Sequence, residues 1–429
     1  MSQLPALPVE LWQKILDCIT GDDRMLTLKA FSLVCKHWLA IARPPVLSTL
    51  ILKYSRREPQ SSRCKLAVQV LTRNPRYIPF VCSLELLFDT TKVAPPILFV
   101  DRHLPRLLRM LTHVKDLRLC GRAPFSAIFP PVVDAVRYLV DLSTFQSLDL
   151  IYWSIYREDA IFARLLASAS KRLATLSFDC MFQRREGTVV SVDRVVNFPL
   201  VELPHLTTMH VGYLATIWGA HWASPDLHNS GPWHFNAPNL RSLFFCFSHG
   251  ALDFVLAGFL PFTWPHNLTR LSISITNFDI ATSSPSRPQL NLSRLTNLRH
   301  LELRLEAMYC DPGQSWLIVE WATRGLATLP NPSLLESFLL RLDTLSHSIS
   351  ESADTWRNLD KFLAPLAQNG TLSSVIFELR LVTNSYTRRR PIKDFNPIAR
   401  RIESHMQGLH SAAILQISQP IRRMTTTEE

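Results

Sequence analysis

Glycine is scarce in this 429-residue chain: 12 residues, with neither a P-loop nor a Gly-x-Gly-x-x-Gly string among them. A nucleotide-binding fold resting on glycine-rich phosphate loops therefore has little to work with. The 8 cysteines stand far apart and no Cys-x-x-Cys occurs, which argues against a disulfide framework and against a compact zinc module. Long apolar runs are missing as well. The greasiest stretch, Val255 to Phe262, falls far short of the roughly 20 residues that span a bilayer. Glu10 and Lys14 interrupt the hydrophobic pattern of the first residues, so no secretory signal is legible and a reducing compartment, cytoplasmic or nuclear, is expected. Strings that announce catalysis, such as Gly-x-Ser-x-Gly or His-Glu-x-x-His, are absent too. His205 and His210 are too far apart to share a helical face, and a strand sends them to opposite sides. No catalytic residue, metal or cofactor is expected.

What remains is apolar and mildly basic: 47% hydrophobic, 19% charged, net charge +11. Such a composition folds, and it excludes disordered-tail, collagen-like and coiled-coil classes. In the first forty residues Leu11, Ile15 and Ile19 recur four apart, with Trp12 and Leu16 on the adjoining stripe, which predicts a helix with one wide apolar face. Pro8 suits its first position and Glu10 complements its dipole. Thr20-Gly21-Asp22-Asp23 reads as a stop and a new cap. From Leu28 the positions Phe31, Val34, Cys35, Trp38 and Ile41 recur at three and four, and the pattern is expected to end at Arg43-Pro44-Pro45. A unit this small rarely buries enough surface to stand alone, so its apolar faces should dock on something else.

The residues Leu7-Pro8-x-Glu10-Leu11-x-x-x-Ile15-Leu16, an acidic turn, then Leu33-Val34-Cys35-Lys36-x-Trp38 resemble an F-box over residues 4–45, close to the version common in fungal chains. The resemblance implies docking onto a Skp-type adaptor, which links such chains to the cullin and RING subunits of an SCF-type ubiquitin ligase. Matched position by position, Leu7, Pro8, Leu11, Ile15, Leu16, Ile19, Leu28, Val34 and Cys35 fold the motif or meet the adaptor. Apolar chemistry serves both roles, so the sequence does not divide the set. The same periodicity would also serve a helical cap that seals whatever follows.

Beyond Pro45 a pattern of apolar-x-x-apolar-x-apolar returns. Its first positions are Leu47, Val81, Val114, Phe145, Leu173, Leu206, Leu240, Leu268, Leu298, Leu335 and Leu372, at a mean interval of about 32.5 residues. A weaker twelfth copy lies near Ile414 to Ile417. Single matches mean nothing, since about one apolar residue in three yields on the order of fifteen by chance. The spacing carries the weight, because each interval leaves room for one strand, one helix and two loops. The pattern resembles a leucine-rich repeat, which implies an α/β solenoid over residues 46–420 with parallel strands lining a concave face and a disordered tail at 421–429. One departure is plain: the Asn expected three places after the last strand residue is replaced by Arg122, Trp153, Met181, Leu214, Ser248, Thr276, Glu306 and Asp343. The turns must then find other hydrogen-bond partners.

Positions between the inward residues are mostly polar, as a solvent-facing strand surface requires. Arg118, Asp149, His210, Phe244, Arg270 and Glu302 are the candidates for contacting a target. Pro-rich joints, Phe129-Pro130-Pro131 among them, read as inter-repeat loops. Exposed aromatics in the Trp218 to Phe235 insertion could anchor a ligand or form a loop mini-core. Residues 53 to 122 carry a net +9, which suits an acidic or phosphorylated partner or is a solvated face. No zinc finger, RRM or basic zipper accompanies it, so nucleic acid is not expected. Arg388-Arg389-Arg390-Pro391-Ile392-Lys393 is similar to a short nuclear-import cluster. The expectation is a non-catalytic target-recognition subunit of a ubiquitin ligase, joined through the Skp-type adaptor to cullin and RING subunits and free of the membrane. The alternative is a non-degradative repeat scaffold.

Overall fold

The apolar motifs become strands, and the rest of the architecture follows from that. The structure is a computed structural model and describes residues 11, 14, 24–34, 36–54, 61–88, 101–121, 130–156, 160–169, 171–183, 201–214, 235–248, 267–276, 290–306, 316–344, 352–381 and 395–418. Two helices, α1 (Arg24–Val34) and α2 (Lys36–Leu47), precede β1 (Thr49–Tyr54). Then come α3 (Ser61–Arg73), a 3-10 turn (Pro75–Phe80), β2 (Ser83–Phe88), α4 (Leu104–Met110), β3 (Asp116–Gly121), α5 (Pro130–Val140), β4 (Ser147–Tyr156) and α6 (Ala160–Ala169). Further along lie β5 (Thr175–Gln183), β6 (Val201–Glu202), β7 (Thr208–Leu214), β8 (Phe235–Asn236), β9 (Ser242–Ser248), β10 (Arg270–Thr276) and β11 (His300–Glu306). The chain closes with α7 (Trp316–Leu326), β12 (Ser337–Thr344), α8 (Ala353–Gln368), β13 (Ser374–Leu381), α9 (Phe395–His405), α10 (Gln407–Ser411) and β14 (Leu415–Ser418).

Contacts divide the chain into two units, residues 1–153 with 164–173, and residues 154–163 with 174–429. In the first, β1 to β4 pair in chain order and all in parallel. In the second, the order β5-β7-β9-β10-β11-β12-β13-β14 is again parallel throughout, while β6 and β8 form a separate pair. The expectation of an α/β fold with parallel strands holds, with described helices between β1 and β5 and between β11 and β14.

Register explains why the motif repeats. In the first unit Leu50, Leu84, Leu117 and Leu148 stand opposite one another, as do Leu52, Leu86, Leu119 and Leu150. The second unit has the ladders Leu176-Met209-Leu243-Leu271-Leu301-Phe338-Val375 and Phe178-Val211-Phe245-Ile273-Leu303-Leu340-Phe377. Most of these side chains are at most 2% exposed. Helices supply the other half of the core: α5 buries Val132, Ala135, Val136 and Leu139, and α8 buries Trp356, Leu359 and Leu363. These three- and four-residue spacings are those of one helical face. Trp356 meets Phe377 edge to face at 5.4 Å, a favoured aromatic geometry.

The turns solve their hydrogen bonding at the leading ends of the strands. The carbonyl of Ser48 accepts N–H groups of both Cys82 and Ser83, and that of Cys82 accepts Lys115 and Asp116. Ala174, Thr207, Arg241, Thr269 and Arg299 repeat the arrangement in the second unit. Asparagine does take part, but here: the amides of Asn239, Asn267 and Asn331 donate to the carbonyls of Pro204, Pro238 and Thr296, at 2.7, 3.1 and 3.0 Å. Each bridges to the preceding repeat and satisfies a turn carbonyl.

Two proline readings need correction. Pro130 and Pro131 open α5 and do not belong to a loop; proline is tolerated in the first turn, where its missing N–H leaves no bond unmade. Pro44 and Pro45 lie inside α2, which runs on to Leu47. The Ser48 hydroxyl donates to the Pro45 carbonyl at 2.7 Å and so closes that helix end. Near the trailing end of β3, Gly121 lies against Trp153: a Cβ there would meet the indole at 2.9 Å. Trp153 is fully buried, and its indole N–H donates to the Leu119 carbonyl at 3.0 Å.

Buried in the first unit, the Tyr54 hydroxyl and the Cys64 thiol lie 2.7 Å apart. Burial, which disfavours thiolate, is the chief cause that pushes Cys64 up to about 12, with the nearby Asp101 carboxylate acting in the same direction. Since the thiolate is the reactive form, alkylation of the native protein at about pH 8 should spare Cys64 while the half-buried Cys82, Cys120 and Cys246 are modified first. Mass-spectrometric mapping checks this order, and equal labelling of Cys64 refutes it. Register makes a second prediction. Leu303→Ala and Leu340→Ala, on the buried rows, should each cost about 2–5 kcal/mol, against about 1 kcal/mol or less for Leu339→Ala on the opposite face, as read from denaturant unfolding.

Candidate functional site

Two surfaces hold the residues that the sequence singles out. The first is the N-terminal helix pair. In α1, Leu28 is 1% exposed and sits in the chain's own core, whereas Leu26, Leu33 and Val34 are 65%, 86% and 66% exposed. With Ala30, also exposed, these residues fall at i, i+4, i+7 and i+8, which is one stripe of a helix. An amphipathic helix ordinarily turns such a stripe inward. Here a second apolar face points outward while Leu28 anchors the first. Leu11 is helical and likewise exposed, at 43%. Of the other positions matched to the F-box, Leu7, Pro8, Ile15, Leu16, Ile19 and Cys35 lie outside the described residues. Behind the pair, the guanidinium groups of Arg43 in α2 and Arg76 in the 3-10 turn stand over the ring of Tyr77, at 5.2 and 5.4 Å from its centroid. These cation–π contacts fasten the helix pair to the first repeat.

The second surface is the strand face opposite the helices. In the first unit, register sets Glu85, Arg118 and Asp149 side by side. Arg118 lies 3.3 Å from the Asp149 carboxylate and 3.9 Å from that of Glu85. Flanked by two acids, Arg118 is internally neutralised, and the row as a whole is acidic. Burial raises the pKa of Asp116, two residues earlier, against the opposing pull of Lys115. Among the described residues Lys53 is also on this side of β1, while Arg63, Lys65 and Arg73 are on α3, Arg76 is in the 3-10 turn, and Arg106 and Arg109 are on α4.

In the second unit the structure brings three of the expected residues together. His210 and Phe244 are paired in register on β7 and β9. Their rings stack at 4.2 Å and 4°. Arg270, from β10, holds its guanidinium 5.3 Å from the Phe244 centroid. Phe244 breaks the polar alternation of its row, and this stack accounts for it. Glu302 stands two strands from Phe244 in the same row and pairs with Arg304. Register also builds a row that sequence reading did not isolate: Thr175, Thr208, Ser242, Arg270, His300, Ser337 and Ser374. It consists of hydroxyls and two basic side chains, with no carboxylate. The signal for it was present, since each member lies two residues after the first apolar position of its motif. Among the described residues no group of three potential metal ligands occurs, and no helix is long and apolar enough to cross a membrane. The Trp218 to Trp233 insertion, the Arg388 to Lys393 cluster and the 421–429 tail lie outside the described residues.

No protein-family model and no curated protein matches the chain.

The two faces of α1 should respond differently to substitution. Leu28→Ala should cost about 2–5 kcal/mol as a buried truncation, while Leu33→Asp and Val34→Asp should leave the unfolding free energy within about 0.5 kcal/mol of the parent, as read from denaturant unfolding. Equal destabilisation by all three would show that the exposed stripe is part of the core.

Proposed function

We propose that the chain is the target-recognition subunit of an SCF-type cullin-RING ubiquitin ligase. In this reading residues 4–45 are an F-box that docks on a Skp-type adaptor. Residues 46–420 form a leucine-rich-repeat-like solenoid whose open strand face holds a target protein. The observation that carries the reading is the outward apolar stripe of α1. Exposing Leu26, Leu33 and Val34 to water forfeits roughly 25 cal/mol per Å² of apolar surface, a loss that a protein partner would recover. The motif at Leu7-Pro8 and Leu33 to Trp38 names the kind of partner.

The chain itself does no chemistry in this scheme. It supplies effective concentration, holding target lysines near a charged enzyme brought by the cullin, so that transfer becomes a local encounter. An intracellular setting, cytoplasmic or nuclear, goes with it.

Tagged full-length chain should capture the Skp-type adaptor and, through it, the cullin. Leu7→Ala with Pro8→Ala, or Leu33→Asp with Val34→Asp, should reduce capture at least tenfold while circular dichroism is unchanged. Capture that the substitutions leave intact sinks the reading; capture that stops at the adaptor points to a non-degradative scaffold.

A further inference from the structure

We infer that the open face of the second unit binds an extended, carboxylate-bearing segment of a partner protein, gripped by Arg241 and Arg270 beside the His210–Phe244 stack. The inference deepens the ligase reading by naming the chemistry of the target, and it rests on that reading for the role of this face.

Cations on this face and at the leading ends of its strands fall into two groups. Arg304 is matched by Glu302, Arg341 by Glu378 at 3.6 Å, and Arg299 by Glu336 at 2.5 Å, with His300 3.8 Å from the same carboxylate. Arg270 has no carboxylate partner among the described residues. Neither does Arg241, whose backbone carbonyl accepts the Arg270 N–H at 2.9 Å. Both side chains are exposed. The backbone bond makes Arg241 and Arg270 neighbours at the leading end of the face, and with neither charge neutralised an anion that reaches either one is favoured; the planar guanidinium fork matches a carboxylate in two parallel hydrogen bonds. The Phe244 ring holds the Arg270 group in place, which lowers the entropy lost on binding.

The surroundings set the shape of the ligand. Thr208 and Ser242 continue the row on one side of Arg270, and His300, Ser337 and Ser374 on the other. From Thr175 to Ser374 the row crosses seven strands, about 29 Å at a spacing near 4.8 Å. An extended peptide of about nine residues covers that distance. The stacked rings of His210 and Phe244 give such a peptide an apolar floor. Charge argues against a nucleic-acid strand: Glu302, Glu336 and Glu378 lie along the same face, where a phosphate at every step would meet them repeatedly.

Fluorescence anisotropy of the full chain with a fluorescein-labelled peptide alternating glutamate and leucine tests this. Saturable binding is expected, weakened about tenfold by Arg270→Gln and by Arg241→Gln, and unaffected by Arg118→Gln in the first unit. A lysine-for-glutamate peptide should not bind. No saturable binding, equal binding by the Arg270 and Arg241 variants, or tighter binding of oligothymidylate or of a phosphoserine peptide lacking glutamate would each overturn the inference. Adaptor capture is measured on the same preparations. Peptide binding absent with capture intact defeats this inference alone, and capture absent with peptide binding intact defeats the ligase reading alone.

Discussion

Side-by-side registration of short parallel strands is the constraint on which everything else in this protein depends. A parallel pair cannot be joined by a tight hairpin, so each strand must be followed by a crossover long enough to return the chain to the same end. That geometry leaves room for a helix in each interval, and among the described residues α3 to α9 occupy seven of them. It also turns one side of most strands into the core, although β14 buries no residue. Because side chains alternate, it leaves the other side available for solvent and for partners. Leu303 and Leu340 are buried for the same reason that Glu302 and Arg304 are not.

Much of this was legible in the sequence. The motif positions Leu47 to Leu372 each fall two residues before a strand begins, and the weak copy at Ile414 to Ile417 is β14. Period-two alternation is a local property, so a single sequence displays it. What escaped were features that depend on neighbouring repeats. Asn239 and Asn267 donate across to Pro204 and Pro238, a role visible only once the turns are stacked. Arg118 looks like a free cation until Glu85 and Asp149 are set beside it. In α1 the apolar residues Leu26, Leu28 and Leu33 are chemically alike, and only packing tells which of them faces inward.

The two surfaces use different physics. The α1 stripe is apolar and uncharged, so it suits a partner that covers it completely and excludes water. Among the described residues the sheet face is a mosaic of hydroxyls, ion pairs and the His210–Phe244 stack. Exposed ion pairs contribute little stability, and their value there is to decide which charges a ligand meets. The N-terminal helices thus present a greasy surface and the strands a polar one.

The doubled carbonyl bonds at the leading ends of the strands have an evolutionary corollary. Alignment between neighbours is established before each strand starts, so it does not depend on the length of chain spent after the strand ends. Insertions or deletions in those later connections leave the stacking undisturbed. The intervals do differ, from 28 to 37 residues, while the strands keep their register. The rim around the strand face can therefore change in length and chemistry while the strands beneath it keep their places.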